Sequence, residues 1–247
     1  MNPAKIGLIH IATADYKIFT EKFISSSIYG FEPEREKFFY IFTDDVEYAE
    51  NILKKYKCSG RVVHINHEPW PLITLNRFQY IESIQDHCRS DQITHIFFVN
   101  SNAISIDARP VESIELMNKS LCFVAHPGFL IHKSLATFER RAESTAGLPD
   151  VVAENENYVQ GFFYGGRLSE FMNLIKKMKI SVDIDKQNGI TAIWHDESHL
   201  NYEYVSNLKS SSILLDSGYA YPQGFNLDLR VKIFSLDKSK YFNLNFK

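Results

Sequence analysis

Trp194-His195-Asp196-Glu197-Ser198-His199 places an aromatic ring, two imidazoles, two adjacent carboxylates and a hydroxyl in one short run. The run is entered from the mostly apolar stretch 190–193, and so dense a polar cluster is costly to bury without partners. These residue types suit sugar chemistry: carboxylates stabilise positive charge, and an aromatic plate packs on a pyranose face. The competing reading is the charged first turn of a surface helix, where acids meet the positive end of the helix dipole. A second segment favours a site. Residues 94–106 read THIFFVNSNAISI, an apolar run ending in Asn100-Ser101-Asn102. Many nucleotide-sugar enzymes carry Asp-X-Asp at such a point to hold a divalent cation on the diphosphate. Asparagine offers only a neutral carbonyl oxygen to a hard cation. It can still hydrogen-bond ribose and sugar hydroxyls, and the diphosphate charge then falls to Lys or Arg.

The elements that must position these groups alternate in the first half of the chain. Ile6–Ala12 reads as a buried strand and Tyr16–Ser27 as a helix. Lys37–Thr43 reads as a strand, and Asp44 or Asp45 is placed to cap a helix over Val46–Tyr56. Arg61–Ile65 is a further strand, Ile73–Cys88 a helix and Ile93–Val99 a buried strand. This rhythm predicts a parallel sheet with helices on both faces, binding ligands beyond the carboxyl ends of its strands. Asn100–Asn102 and His10–Tyr16 fall at such ends. Later, Leu121–Ala125 is strand-like and runs into His126-Pro127-Gly128-Phe129. Residues 139–157 read as a mobile loop, Tyr164-Gly165-Gly166 as a tight turn, and Leu168–Met178 and Asp196–Val205 as helices. The chain is expected to be one domain, with 1–105 mainly serving the donor and 106–247 mainly the acceptor and the chemistry.

Arg77 stands out on the Ile73–Cys88 helix because it shares a face with Ile81, Ile84 and Cys88. A guanidinium on an apolar stripe either reaches an anionic partner in a site or snorkels at the stripe's edge. Arg140, Arg141, Arg167, Lys238 and Lys240 are further sources of positive charge, though each taken alone reads first as a solvated surface group. His195 and His199, at i and i+4, are compatible with two zinc ligands, but no third ligand is evident. No dinucleotide fingerprint, Walker sequence or Gly-X-Ser-X-Gly is present. With 247 residues, 45% hydrophobic and 23% charged, the chain can bury a full core, and a net charge of −3 provides no global field for nucleic acid. Cys58, Cys88 and Cys122 indicate neither a disulfide framework nor a thiolate metal site, so a reducing cytoplasm is the default expectation. No signal peptide or apolar run of about 18 residues is seen, and no membrane segment is expected.

IGLIHIATADY, FFYIFTDD, Leu75–Phe78, FFVNSN, AHPGF, TFERR, YGG and IWHDESHLN together resemble glycosyltransferase family 6, the family of the histo-blood-group A and B transferases and the α1,3-galactosyltransferase. The resemblance runs over most of the chain, and HPGF with WHDESHLN is its most specific part. It implies an α/β fold of the GT-A type with a Rossmann-like sheet. It implies retaining transfer of galactose or N-acetylgalactosamine from a UDP-sugar to a galactoside in an α1,3 bond. By the same resemblance Ile11, Ala12 and Tyr16 bind uridine, Arg77 and Asp196 meet the donor, and Glu197 is the catalytic glutamate. His126, Thr137 and Trp194 contact the acceptor, and Lys238 binds phosphate. Asn100 and Asn102 stand where the mammalian enzymes hold metal, so the implied transfer needs no cation, as in bacterial members. In the donor-selecting segment Gln160-Gly161-Phe162, Phe162 replaces a small residue and tilts the expectation toward galactose. The implied acceptor is a fucosylated galactoside. A non-catalytic carbohydrate-binding protein is the alternative, followed by a zinc hydrolase using His195 and His199.

Overall fold

A computed structural model describes residues 4–242. Ten strands run in chain order: β1 (Ile6–Ile11), β2 (Lys37–Thr43), β3 (Ser59–His64), β4 (His95–Val99), β5 (Ala103–Ser105), β6 (Leu121–Ala125), β7 (Val159–Arg167), β8 (Ser212–Leu215), β9 (Tyr221–Pro222) and β10 (Ile233–Ser235). The α-helices are α1 (Thr20–Gly30), α2 (Val46–Tyr56), α3 (Leu72–Leu75), α4 (Arg77–Ser83), α5 (Gln85–Ser90), α6 (Pro110–Leu116), α7 (Asp150–Ala153), α8 (Leu168–Gln187) and α9 (Asp196–Glu203).

Seven strands form the main sheet in the order β3-β2-β1-β4-β7-β6-β8. β1 and β4 are wholly or almost wholly buried, as near-continuous apolar runs demand of central strands. The expected parallel rhythm holds for β3-β2-β1-β4 and breaks at β7, which pairs antiparallel with both β4 and β6. The architecture is therefore a mixed α/β sheet. β7 also corrects the reading of Tyr164-Gly165-Gly166 as a turn. These residues lie inside the strand, where a methyl on Gly165 would strike the Ile96 carbonyl and one on Gly166 the Ser120 carbonyl. The glycines admit a close backbone approach within the sheet.

Helices cover both faces. One core joins Ile6, Leu8, Phe97 and Phe163 with α1, α2 and α6; the other joins Ile9, Phe98 and Tyr164 with α4, α8 and α9. Asp45 caps α2, accepting from the Tyr48 amide at 3.2 Å. The helix expected over Ile73–Cys88 is three short helices instead, broken at Asn76 and Ile84. Asn76 keeps its main-chain bonds, its amide donating to the Leu72 carbonyl at 2.8 Å and its carbonyl accepting from the Tyr80 amide at 3.2 Å, while its side-chain nitrogen donates to Glu68 at 2.8 Å, an interaction that the apolar spacing does not reveal. A second sheet, β5-β10-β9, brings the end of the chain back against Asn102, whose backbone carbonyl accepts from the Leu236 amide. Among the described residues no helix is long and apolar enough to cross a membrane.

Candidate active site

The carboxyl ends of β1, β3 and β4 open into two joined hollows. One, of about 200 Å³, is lined by Ile11, Thr13, Tyr16, Phe98 and the Trp70–Arg77 segment. The other, of about 380 Å³, is lined by Asn102, Gln160–Phe162, Trp194–Glu197 and Ser235. Trp70, Thr74, Arg77, Asn100 and Lys238 line both, so the two form one cleft.

Arg77 sits between the halves, 8% exposed. Its Nη1 lies 2.8 Å from Asp196 Oδ2, and its guanidinium stacks 4.4 Å above the Phe98 ring. The odd place of this arginine on an apolar face is thereby explained: the stripe packs its aliphatic and planar surfaces, and the charge meets a carboxylate. Its Nε is buried without a partner, as are Oδ1 of Asn102 and Oε1 of Gln160.

Asp196 and Glu197 open helix α9 after His195, whose φ of 52° and ψ of −122° are sparsely populated for a residue with a side chain. The turn aims both carboxylates at β7. Glu197 Oε2 accepts from the Gly161 amide at 2.7 Å. A Cβ at position 161 would stand 3.3 Å from that oxygen and 3.5 Å from Asp196 Oδ2, so glycine leaves room for both carboxylates. Burial pushes the Glu197 carboxyl up to about 7, against the opposing pull of the Gly161 amide. Across the cleft, burial and then the like charge of Arg77 bring the Lys238 ammonium down to about 8. Its Nζ lies 5.2 Å from the centre of the Tyr16 ring.

Asn100 Oδ1 accepts from the Ser101 amide at 3.0 Å, and Asn102 Nδ2 donates to the Leu236 carbonyl at 2.6 Å. Asn102 is 3% exposed. Both side chains are neutral and partly committed to protein partners, which makes them weak ligands for a hard divalent cation. The zinc alternative fails on geometry too. His199 Nδ1 is 2.8 Å from Ser181 Oγ in the interior, whereas His195 packs edge-on against Trp70 with ring centres 4.4 Å apart.

Of the remaining expected site residues, Ala12 is buried behind the wall, its amide donating to Phe42. Phe162 lies at the cleft floor, 4% exposed, with its ring in the core. Trp194 is half-exposed, and its Nε1 donates to Thr137 Oγ1 at 2.5 Å. His126 stands outside the hollows against Phe129 and Tyr158, and burial lowers its imidazole to about 4. Arg140 and Arg141 turn away to Asp150 and Glu139, and Arg167 ends β7 opposite His95, at the far end of β4 from the cleft. Their charge is unavailable to a ligand there. The supposed mobile loop 139–157 is anchored. Glu139 is buried and accepts from the amides of Arg140, Arg141 and Ile193 and from the Arg141 guanidinium. Thr13 falls in the His10–Tyr16 segment expected at a strand end, whereas His67, Trp70 and Thr74 went unread in the sequence; the rule that loops after parallel strands carry ligand contacts would have pointed to the segment after β3.

Residues 2–241 match the model of glycosyltransferase family 6. The chain belongs to this family. Its mixed sheet flanked by helices is consistent with the GT-A type, and family membership makes a nucleotide sugar and a glycan the substrate classes. It is 32% identical to the O-antigen biosynthesis glycosyltransferase WbnI of Escherichia coli, with 95% of both chains covered. It is 27% identical to globoside alpha-1,3-N-acetylgalactosaminyltransferase 1 of Gallus gallus, over 85% of this chain and 60% of that one. Histo-blood group ABO system transferase 2 of Rattus norvegicus is 26% identical, over 85% of this chain and 61% of that one. The family 6 chain thus spans about three-fifths of these two vertebrate relatives.

Proposed function

We propose that this protein is a retaining α1,3-glycosyltransferase that moves galactose or N-acetylgalactosamine from UDP to a galactoside acceptor. The observation that carries the reading is Glu197, a half-buried carboxylate held by a main-chain amide in a cleft shared with Arg77, Asp196 and Lys238. UDP lies in the half of the cleft lined by Ile11, Tyr16 and Asn100, and the sugar in the half lined by Asn102, Gln160, Gly161, Phe162 and Asp196. The acceptor, a galactoside bearing fucose, enters past Trp194, Thr137 and His126.

No divalent cation takes part. Arg77 and Lys238 offset the charge that develops on the leaving diphosphate, a task electrostatic groups perform best in a site closed to water. As the bond to UDP breaks, the anomeric carbon becomes oxocarbenium-like and Glu197 supplies the facing negative charge. Retention follows whether Glu197 forms a transient glycosyl bond or only stabilises the cation while the acceptor enters from the leaving-group side. The test is incubation with each UDP-sugar and a 2′-fucosylgalactoside, followed by NMR assignment of the product linkage. An α1,3-linked product supports the reading, and a β-linked product or binding of sugar without turnover refutes it.

A further inference from the structure

Asn201 lies one turn beyond Glu197 on α9, 1% exposed. Its Oδ1 accepts from the Val159 amide at 2.8 Å, and its Nδ2 donates to the Val159 carbonyl and to the Glu197 carbonyl, both at 2.8 Å. Only this orientation of the side-chain amide makes all three bonds; the flipped amide would set a donor against a donor and an oxygen against two carbonyls. The side chain thus pairs with the backbone of Val159 as a neighbouring strand would. Two residues further along β7, the Gly161 amide holds the Glu197 carboxylate. These two rungs join α9 to β7 at Glu197 and one turn beyond it.

We propose that Asn201 is a positioning residue for Glu197, keying α9 to β7 so that the carboxylate is held at the cleft in a fixed, desolvated place. This rests on the reading of Glu197 as the working carboxylate. A carboxylate tethered by one main-chain bond turns toward water when its helix can shift, and the Asn201 rung removes that freedom. Reaction geometry is sensitive to displacements of about 1 Å, which can cost about a hundredfold in rate. The charged and titratable groups facing Glu197 are Asp196 beside it, Arg77 on α4, Tyr158 just before β7 and Lys238 across the cleft. Asn201 is neutral, so its removal changes the titration of Glu197 through position and hydration, with no charge lost.

Asn201→Ala is expected to lower kcat about tenfold to a hundredfold, leave the donor KM within about threefold, and move the acid limb of the pH profile to lower pH. An unchanged kcat, or an acid limb that stays in place, overturns the proposal. A second measurement needs no variant: in the wild-type protein the Asn201 side-chain amide and the Gly161 backbone amide are followed by NMR across pH. A shared titration midpoint is expected, and a Gly161 titration that Asn201 does not follow overturns the proposal. Because this readout does not depend on turnover, it is separate from failure of the functional reading, which would show as Glu197→Gln retaining transfer.

Discussion

Helix α9 stands between two polar clusters that differ in how completely their groups are paired. On the cleft side, Arg77 Nε, Asn102 Oδ1 and Gln160 Oε1 are buried without partners, and the Glu197 carboxyl and Lys238 ammonium are displaced toward neutrality. Behind the helix, Asp185 accepts from Ser144 Oγ, Thr145 N and Thr145 Oγ1, while His199 meets Ser181. Close by, Glu139 gathers three backbone amides and a guanidinium, and its bonds to Arg141 hold its carboxyl down at about 2. The rear cluster is saturated and joins α8, α9 and the 139–148 segment. The front cluster leaves hydrogen-bonding capacity and charge open toward the cleft. Of the eight buried side-chain atoms without a partner among the described residues, these three belong to residues lining the cleft, where the polar groups of a ligand can pair with them.

The largest effect that separates the two clusters is at Glu197. Glu197→Gln is expected to lower transfer by about a thousandfold or more while leaving UDP affinity nearly intact. The same change should raise the thermal midpoint. A carboxyl whose folded pKa is raised favours the fold only while protonated, so its contribution falls as pH rises from the unfolded value of 4.5 toward 7. Thermal melts at pH 8 check this, and a lower midpoint in the variant would contradict it. Arg77→Ala comes next. It strips Asp196 of its partner and the cleft of a cation, and is expected to destabilise the fold by about 3 kcal/mol and raise the donor KM at least about tenfold. Denaturant titration with donor kinetics measures both.

A milder comparison comes from pH. Transfer needs Glu197 ionised and Lys238 charged, so kcat/KM for the donor should trace a narrow bell. Its acid limb lies near 7, where activity rises with pH, and its alkaline limb near 8, where activity falls. Lys238→Arg should carry the alkaline limb upward without moving the acid one. Glu139→Gln probes the rear cluster and should cost about 2 kcal/mol of stability at neutral pH. The stabilisation from Glu139 is present above its unfolded value of 4.5 and is lost as pH falls through about 2. Because Glu139 anchors the Ile193 amide beside Trp194, the acceptor KM should rise while the donor KM stays unchanged. Separate kinetics for the two substrates check that division.

These contrasts were only partly legible in the sequence. The strands Lys37–Thr43 and Leu121–Ala125 and the helix Val46–Tyr56 were read to their ends because apolar runs, periodicity and the Asp45 cap agreed locally. β7 was missed because Gly165 and Gly166 look like a turn until the strands that crowd them are known. Arg77 was singled out because a charge broke an apolar stripe. The roles of Glu139 and Asn201 left no such mark: a glutamate next to two arginines, or an asparagine on a polar helix, becomes informative only when distant backbone groups are brought to it. Trp70 was overlooked because its neighbour across space, His195, is far away in the chain.

The most direct test of the account is transfer from UDP-galactose to a 2′-fucosylgalactoside in excess EDTA, by the wild-type protein and by Lys238→Ala. Undiminished wild-type transfer in EDTA is expected, with a loss of about a hundredfold in the variant that manganese does not restore. Wild-type transfer that appears only with manganese would contradict the assignment of the diphosphate charge to Arg77 and Lys238.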